Sequence, residues 1–109
     1  MKSGVKVMDA MTINPVIVHP DELLKDCSQK MAEQHVGALI VKEKNKVHGI
    51  CTEQDIVRKT VALGKNPLKM KVKDIMDQNV RTIEPYKDIF EALLLMRDLN
   101  IRHLPVVEG

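Results

Sequence analysis

The sequence predicts a mixed α/β (α+β) fold made of two copies of one unit, read in order as strand, helix, strand, strand, helix. Three observations carry that prediction. The chain of 109 residues aligns with itself at a fixed offset. Within each copy, short apolar runs alternate with stretches of helical periodicity. The two cysteines, Cys27 and Cys51, fit neither a CxxC nor a zinc spacing, so an apolar core rather than a cross-link must hold the fold. A chain of this length buries roughly two-thirds of its unfolded surface, enough to do so.

The offset is 65 and needs no gap. Lys6, Val7, Asp9 and Met11 fall on Lys71, Val72, Asp74 and Met76, and Asn14, Pro20, Met31, Leu39, Val41 and Glu43 fall on Asn79, Pro85, Met96, Leu104, Val106 and Glu108. These are ten identities over the 39 positions from Lys6 to Lys44, where average composition gives about two or three. Repeats this long mark a duplicated structural unit.

Each copy opens on a short amphipathic turn, Lys6–Met11 or Lys71–Met76. A strand is predicted next, at Val16–Val18 or Val80–Ile83, with a proline after it at Pro20 or Pro85. A helix over about Asp21 to Gln34 follows from Leu24, Cys27 and Met31 at i, i+3, i+7; its counterpart runs from about Lys87 to Leu99 on Ile89, Ala92, Leu93 and Met96. Asp21 suits an N-cap, and Asp88 suits the positive end of the helix dipole. The apolar runs Ala38–Val41 and Leu104–Val107 predict strands buried on both faces. In the first copy a polar turn, Glu43-Lys44-Asn45-Lys46, leads to a strand at Val47–Cys51. A last helix is predicted over Glu53–Leu63, on Ile56, Val57, Thr60 and Leu63, and Gly64 stops it.

The boundaries expected are therefore 1–64 for the first repeat, 65–70 for a linker and 71–109 for the second. Gly109 stands at the position equivalent to Lys44, so the second repeat is expected to be truncated, lacking counterparts of Asn45–Leu63. A strand without its hairpin partner exposes backbone groups; either the sequence is cut there or another chain covers the edge.

Composition excludes several classes. A net charge of +2 does not call for nucleic acid, and with only Tyr86 and Phe90 as aromatics a base-stacking platform is not expected. His19, His35, His48 and His103 are scattered without metal-ligand spacing. No apolar run reaches the roughly 20 residues of a membrane span, and no signal segment opens the chain. The expectation is a soluble, cytoplasmic protein with reduced core thiols and no membrane partner.

Taken together, Val7-Met8-Asp9-Ala10-Met11, Val72-Lys73-Asp74-Ile75-Met76, Ile101-Arg102-His103-Leu104-Pro105-Val106-Val107 and Gly49-Ile50-Cys51-Thr52-Glu53-Gln54-Asp55 resemble a tandem CBS-domain pair over essentially the whole chain. The last stretch matches the family's pattern of glycine, apolar, any, Thr or Ser, any, any, Asp. The resemblance implies two βαββα units about a pseudo-twofold axis, with clefts that bind adenosine-containing ligands. It also implies a sensor rather than a catalyst, and a disc-like homodimer.

Thr52 and Asp55 carry two readings. Thr-x-x-Asp before an apolar helix is a capping box, the Thr oxygen accepting from the third helical N–H and the Asp reaching back to the cap N–H. A helix N-terminus also favours phosphate, a Thr hydroxyl can donate to it, and a carboxylate can accept from two ribose hydroxyls. The resemblance assigns phosphate and ribose to these two residues. Gly49 either lets backbone approach the ligand or relaxes the strand. Arg102 and His103 match positions that present basic groups to phosphate, or are a solvated strand end; their counterparts Gly37 and Ala38 carry no charge. Ile13, Asn14, Pro15 and Val16 lie where the family packs the base, or are ordinary core. The lysines at 65, 69, 71 and 73 form a solvated linker or touch an acidic partner or phosphate tail.

The function expected is a regulatory module that binds AMP, ADP, ATP or S-adenosylmethionine and modulates an unidentified partner protein. No cofactor is required. The alternative is a purely structural dimerisation module without ligand; the broad apolar stripe of Leu94, Leu95 and Leu99 suits oligomerisation under either reading. Catalysis is not expected, because no nucleophile–base pair, carboxylate pair or metal cluster emerges.

Overall fold

The structure is a computed structural model that describes residues 2–108. In chain order its elements are α1 (Val7–Ala10), β1 (Ile17–Val18), α2 (Leu24–Gln34), β2 (Ala38–Glu43), β3 (Lys46–Thr52), α3 (Glu53–Lys59) and α4 (Ile89–Leu99), with 3-10 turns at Val61–Leu63, Pro67–Lys69 and Val72–Asp74. Two compact units result: Pro15–Val80, and a second that joins the N-terminal segment through Asn14 to the stretch from Arg81 onward.

The first unit holds a three-stranded sheet in the order β1-β2-β3, parallel between β1 and β2 and antiparallel between β2 and β3. Lys44 and Asn45 both have positive φ, the pairing a tight two-residue hairpin turn demands, and Asn tolerates it well. The β2–β3 register slips between Val41 and Lys42, passing over His48, and so brings Gly49 opposite Val41. Leu39 and Val41 are fully buried while Ala38 and Ile40 are only partly so. The continuous apolar run therefore predicted one face too many: this strand alternates like that of a sheet with a single fully closed face. Against that face pack Val18, Leu24, Cys27, Met31, Cys51, Val72 and Ile75, each large side chain worth about 1.5–3 kcal/mol by burial.

Two predicted boundaries move for physical reasons. Helix α2 starts at Leu24 rather than Asp21, because the Asp21 carboxylate is taken by Lys73 at 2.9 Å and no side chain caps Leu23. The helix predicted over Glu53–Leu63 breaks at Thr60. Its buried hydroxyl donates back to the Ile56 carbonyl, its ψ leaves the helical range at −80°, and a 3-10 turn finishes the element at Gly64. Back-bonding threonine competes with the helix ladder in this way. Gly64 has φ +72°, the left-handed stop its position predicts.

The second unit packs α1 with α4. The strands predicted for the second repeat, Val80–Ile83 and Leu104–Val107, meet in a single parallel bridge, Ile83 with Val106. The cause is one residue. In the first unit the Ile40 N–H donates to the Val16 carbonyl at 3.0 Å; the position equivalent to Ile40 is Pro105, which has no N–H to donate.

The repeat is visible bond by bond, and it is exchanged. In the first unit Leu24, Val72 and Lys73 donate their N–H groups to the carbonyls of Met70, Glu22 and Pro20. In the second unit Ile89, Val7 and Met8 donate to Val5, Lys87 and Pro85, the same set at the same offset. Each repeat's opening turn is thus packed in the unit that holds the other repeat's helix. Both long helices end on a left-handed residue, His35 and its counterpart Asn100.

Asp88 secures the second unit's opening segment. It caps α4 by accepting from the Phe90 N–H at 2.9 Å, and it also accepts from Ser3 N at 3.0 Å, Ser3 Oγ at 3.1 Å and Gly4 N at 3.2 Å. The Phe90 bond first, then the Ser3 and Gly4 bonds, hold its carboxyl below the ordinary value of 3.8. A folded-state value below the unfolded one adds stability above the unfolded pKa, and that stability is lost as pH falls through the folded value. Asp88→Asn is therefore expected to melt lower than wild type at pH 6 and to converge with it as pH falls through the lowered folded-state value. Parallel melting curves from pH 2 upward that keep a constant gap would contradict this.

Candidate functional site

Strand β3 delivers the site. Alternation turns Gly49 and Cys51 into the core, so Thr52 ends the strand on the other face and begins α3. Thr52 has extended backbone, φ −113° and ψ 163°, as an N-cap requires. The predicted capping box is formed. Thr52 Oγ1 accepts from the Asp55 N–H at 3.2 Å, and Asp55 Oδ2 accepts from the Thr52 N–H at 2.9 Å and from its hydroxyl at 3.1 Å.

A third group joins them. Lys59 Nζ stands 3.1 Å from Asp55 Oδ1 and donates to the Ile75 carbonyl at 3.0 Å. The Asp55 side chain is only 16% exposed, so this ion pair is largely screened from water on the acid's side. The i, i+4 spacing of Asp55 and Lys59 was a readable signal; the Ile75 carbonyl was not, since it lies sixteen residues from Lys59.

The amides at the start of α3 are mostly committed. The Glu53 N–H donates to the Gly37 carbonyl at 3.0 Å, and the Asp55 N–H to Thr52. The helix runs only seven residues. Side chains, not a helix dipole, are what this site offers a ligand.

Gly49 has a packing role. A Cβ there would stand 2.7 Å from the Asp77 carbonyl oxygen and 3.0 Å from Met76 Sδ. The glycine lets the Met76–Asp77 backbone lie on β3, where Ile50 and Asp77 exchange two hydrogen bonds of 3.0 and 2.8 Å. Cys51 is fully buried and its thiol is pushed up to about 12, first by desolvation and then by the Asp55 charge. Cys27 is pushed up to about 11 by desolvation and then by Glu22. Neither supplies a thiolate near neutral pH.

Of the other predicted residues, Pro15 and Val16 share the unit with Gly49, Thr52 and Asp55. Thr52 pairs with Ala38, and extending the β1–β2 register one step beyond Val16 puts Pro15 opposite Ala38 on its other side. Two strand spacings, about 10 Å, therefore separate Pro15 from Thr52 at one end of the sheet. Val16 packs partly against the core and uses its carbonyl in the ladder, whereas Pro15 is exposed. Ile13, 73% exposed, and Asn14, at φ +60°, belong to the second unit, as do the exposed Arg102 and His103. Arg102 and His103 make no ion pair among the described residues.

A separate groove of about 550 Å³ opens between α2 and α3, lined by Met31, Ala32, Val36, Ile56 and Val57 with Ser28, His35 and Glu53 at its margin. None of Gly49, Thr52 or Asp55 lines it, so it is distinct from the candidate site. Among the described residues there is no cluster of three metal-ligating side chains, and no helix among them is long and apolar enough to cross a membrane.

Comparison with known proteins finds matches over nearly the whole chain. The CBS domain family matches residues 7–62 and 72–109. The uncharacterized protein MK0525 of Methanopyrus kandleri is 43% identical over 82% of this chain and 46% of its own. The mitochondrial CBS domain-containing protein CBSX3 of Arabidopsis thaliana is 36% identical over 81% of this chain and 45% of its own. The chain thus spans about half the length of these two relatives. The crystal structure of an uncharacterized conserved protein from Pyrococcus horikoshii superposes with a TM-score of 0.92 at 27% identity, covering 100% of this chain and 83% of that one.

Proposed function

The chain belongs to the CBS domain family, and from that premise we propose that it is a regulatory module sensing an adenosine nucleotide (AMP, ADP or ATP, with S-adenosylmethionine as a further candidate) through Thr52 and Asp55. Members of the family generally bind adenosine ligands as regulatory modules. The observation that carries the reading is the Asp55 carboxylate, held by two neighbours within 3.1 Å and largely withdrawn from water. An ionised acceptor in such a place binds a pair of vicinal hydroxyls more strongly than one in bulk water does. The Thr52 hydroxyl points to it now, and turned away it is free to donate to a phosphate. Pro15 and Val16, about 10 Å off along the same end of the sheet, lie at a distance that suits the base of the same nucleoside.

In this reading the module is not a catalyst. A ligand that favours one arrangement of the chain shifts it by its differential affinity and so changes what a bound effector protein experiences.

Thermal unfolding with AMP, ADP, ATP or S-adenosylmethionine added in turn tests the proposal. At a hundred times its dissociation constant a true ligand stabilises by about 2.7 kcal/mol, or about 10 °C in melting temperature for a chain of this size. No shift with any of the four would overturn it. A second reading, a structural dimerisation module without ligand, is favoured by α4, where Leu93 is 53% exposed beside the half-buried Leu94, Leu95 and Leu99. It predicts a melting temperature that rises with protein concentration and ignores nucleotide.

A further inference from the structure

We propose that Lys59 is a positioning residue for the sugar-binding carboxylate, and that it couples that carboxylate to the segment opening the second repeat. The inference rests on the sensor reading above and names a part of its machinery that neither the capping box nor the family motif includes.

Acceptor counting leads to it. A carboxylate offers about four acceptor positions. Asp55 Oδ2 receives two donors, the Thr52 N–H and hydroxyl, and Oδ1 receives one, the Lys59 ammonium. One position is open, yet a ribose brings two hydroxyls. Of the three donors already present, the Thr52 N–H is fixed by the strand end, and the Lys59 ammonium is held from its other side by the Ile75 carbonyl at 3.0 Å. Only the Thr52 hydroxyl turns freely about a single bond. Turning it to phosphate opens a second position, on Oδ2. The two ribose hydroxyls then bind one on each oxygen while Lys59 keeps its place, and all four positions are filled.

The same ammonium reaches out of α3. Ile75 is 3% exposed and terminates the Val72–Asp74 turn, and two residues on, Asp77 exchanges both its backbone bonds with Ile50 of β3. The carboxylate, Lys59 and the Ile75 carbonyl are joined by hydrogen bonds, and two residues of backbone carry the connection on to the Asp77–Ile50 pair, all within the first unit. Filling the carboxylate stiffens that connection, and the opening segment of the second repeat is its far end.

The experiment measures binding of AMP and of 2′,3′-dideoxy-AMP to wild type, Lys59→Met and Lys59→Arg, with amide hydrogen exchange at Asp77 in each. Methionine keeps the apolar stem and removes the donors. Wild type is expected to prefer AMP at least tenfold and to protect the Asp77 amide when AMP binds. Lys59→Met is expected to lose most of that preference and the AMP-dependent protection, and Lys59→Arg to restore both. If Lys59→Met shows no cooperative melt, Lys59→Leu, which likewise lacks a donor, takes its place with the same expectations. A preference within twofold of wild type in the uncharged variant overturns the role of Lys59 and leaves the sensor reading standing. Equal affinity of wild type for the two nucleotides overturns both.

Discussion

Gly49→Ala is expected to cost about 3 kcal/mol of stability, seen as a urea midpoint about 2 M lower. The new Cβ would stand 2.7 Å from the Asp77 carbonyl oxygen and 3.0 and 3.1 Å from Met76 Sδ and Cγ. The methionine end can rotate away. The carbonyl cannot, because it accepts from the Ile50 N–H at 3.0 Å and the Asp77 N–H returns a bond to Ile50 at 2.8 Å. Making room breaks that pair or bends β3 beside the fully buried Val41 and Cys51. The stiffer unfolded chain of an alanine protein recovers only about 0.5–1 kcal/mol. Gly64 is the control, since its Cβ would meet nothing within 4 Å and its φ of +72° alone makes alanine costly, by about 1–2 kcal/mol. If Gly49→Ala proves as mild as Gly64→Ala, the close approach of Asp77 to β3 is not what the glycine serves.

Asp55→Ala is expected to weaken adenosine-nucleotide binding by about 1.5–3 kcal/mol, roughly ten- to 150-fold. It should also lower stability by about 1 kcal/mol, because the Thr52 N–H loses its acceptor and the box its second half. Lys59 adds little to this cost, since its ammonium keeps the Ile75 carbonyl and is 43% exposed to water. Asp55→Asn separates the two effects. An amide oxygen still accepts from the Thr52 N–H, so most of the stability stays, while the charge that strengthens ribose binding is gone. Calorimetric titration with AMP beside a urea melt reads both quantities. Binding that survives Asp55→Asn unchanged, with stability falling instead, would reduce this residue to a helix cap.

How much of this was legible in the sequence depends on the range of each contact. The capping box spans three residues and was read from Thr-x-x-Asp before an apolar stripe. The Asp55–Lys59 pair spans four and is equally legible as an i, i+4 ion pair. The helix break at Thr60 was not, because a threonine does not by its identity fix whether its hydroxyl bonds back to the helix, and here its burial left the Ile56 carbonyl as the acceptor. The weak ladder of the second unit was in principle legible, since Pro105 stands where Ile40 donates.

The amino-acid sequence by itself determined the duplication, the element order of the first repeat and the pairing of Thr52 with Asp55. Each of these rests on spacings of two, three, four or 65 residues, which survive in a one-dimensional pattern. The tertiary structure alone decided that each opening turn packs with the other repeat's helix, that the Asp77 carbonyl lies against Gly49, that Asp88 holds Ser3 and Gly4, and that Lys59 reaches Ile75. Those contacts join residues 16 to 85 positions apart, and no periodicity records which distant backbone fills the space a glycine leaves or the reach of a lysine.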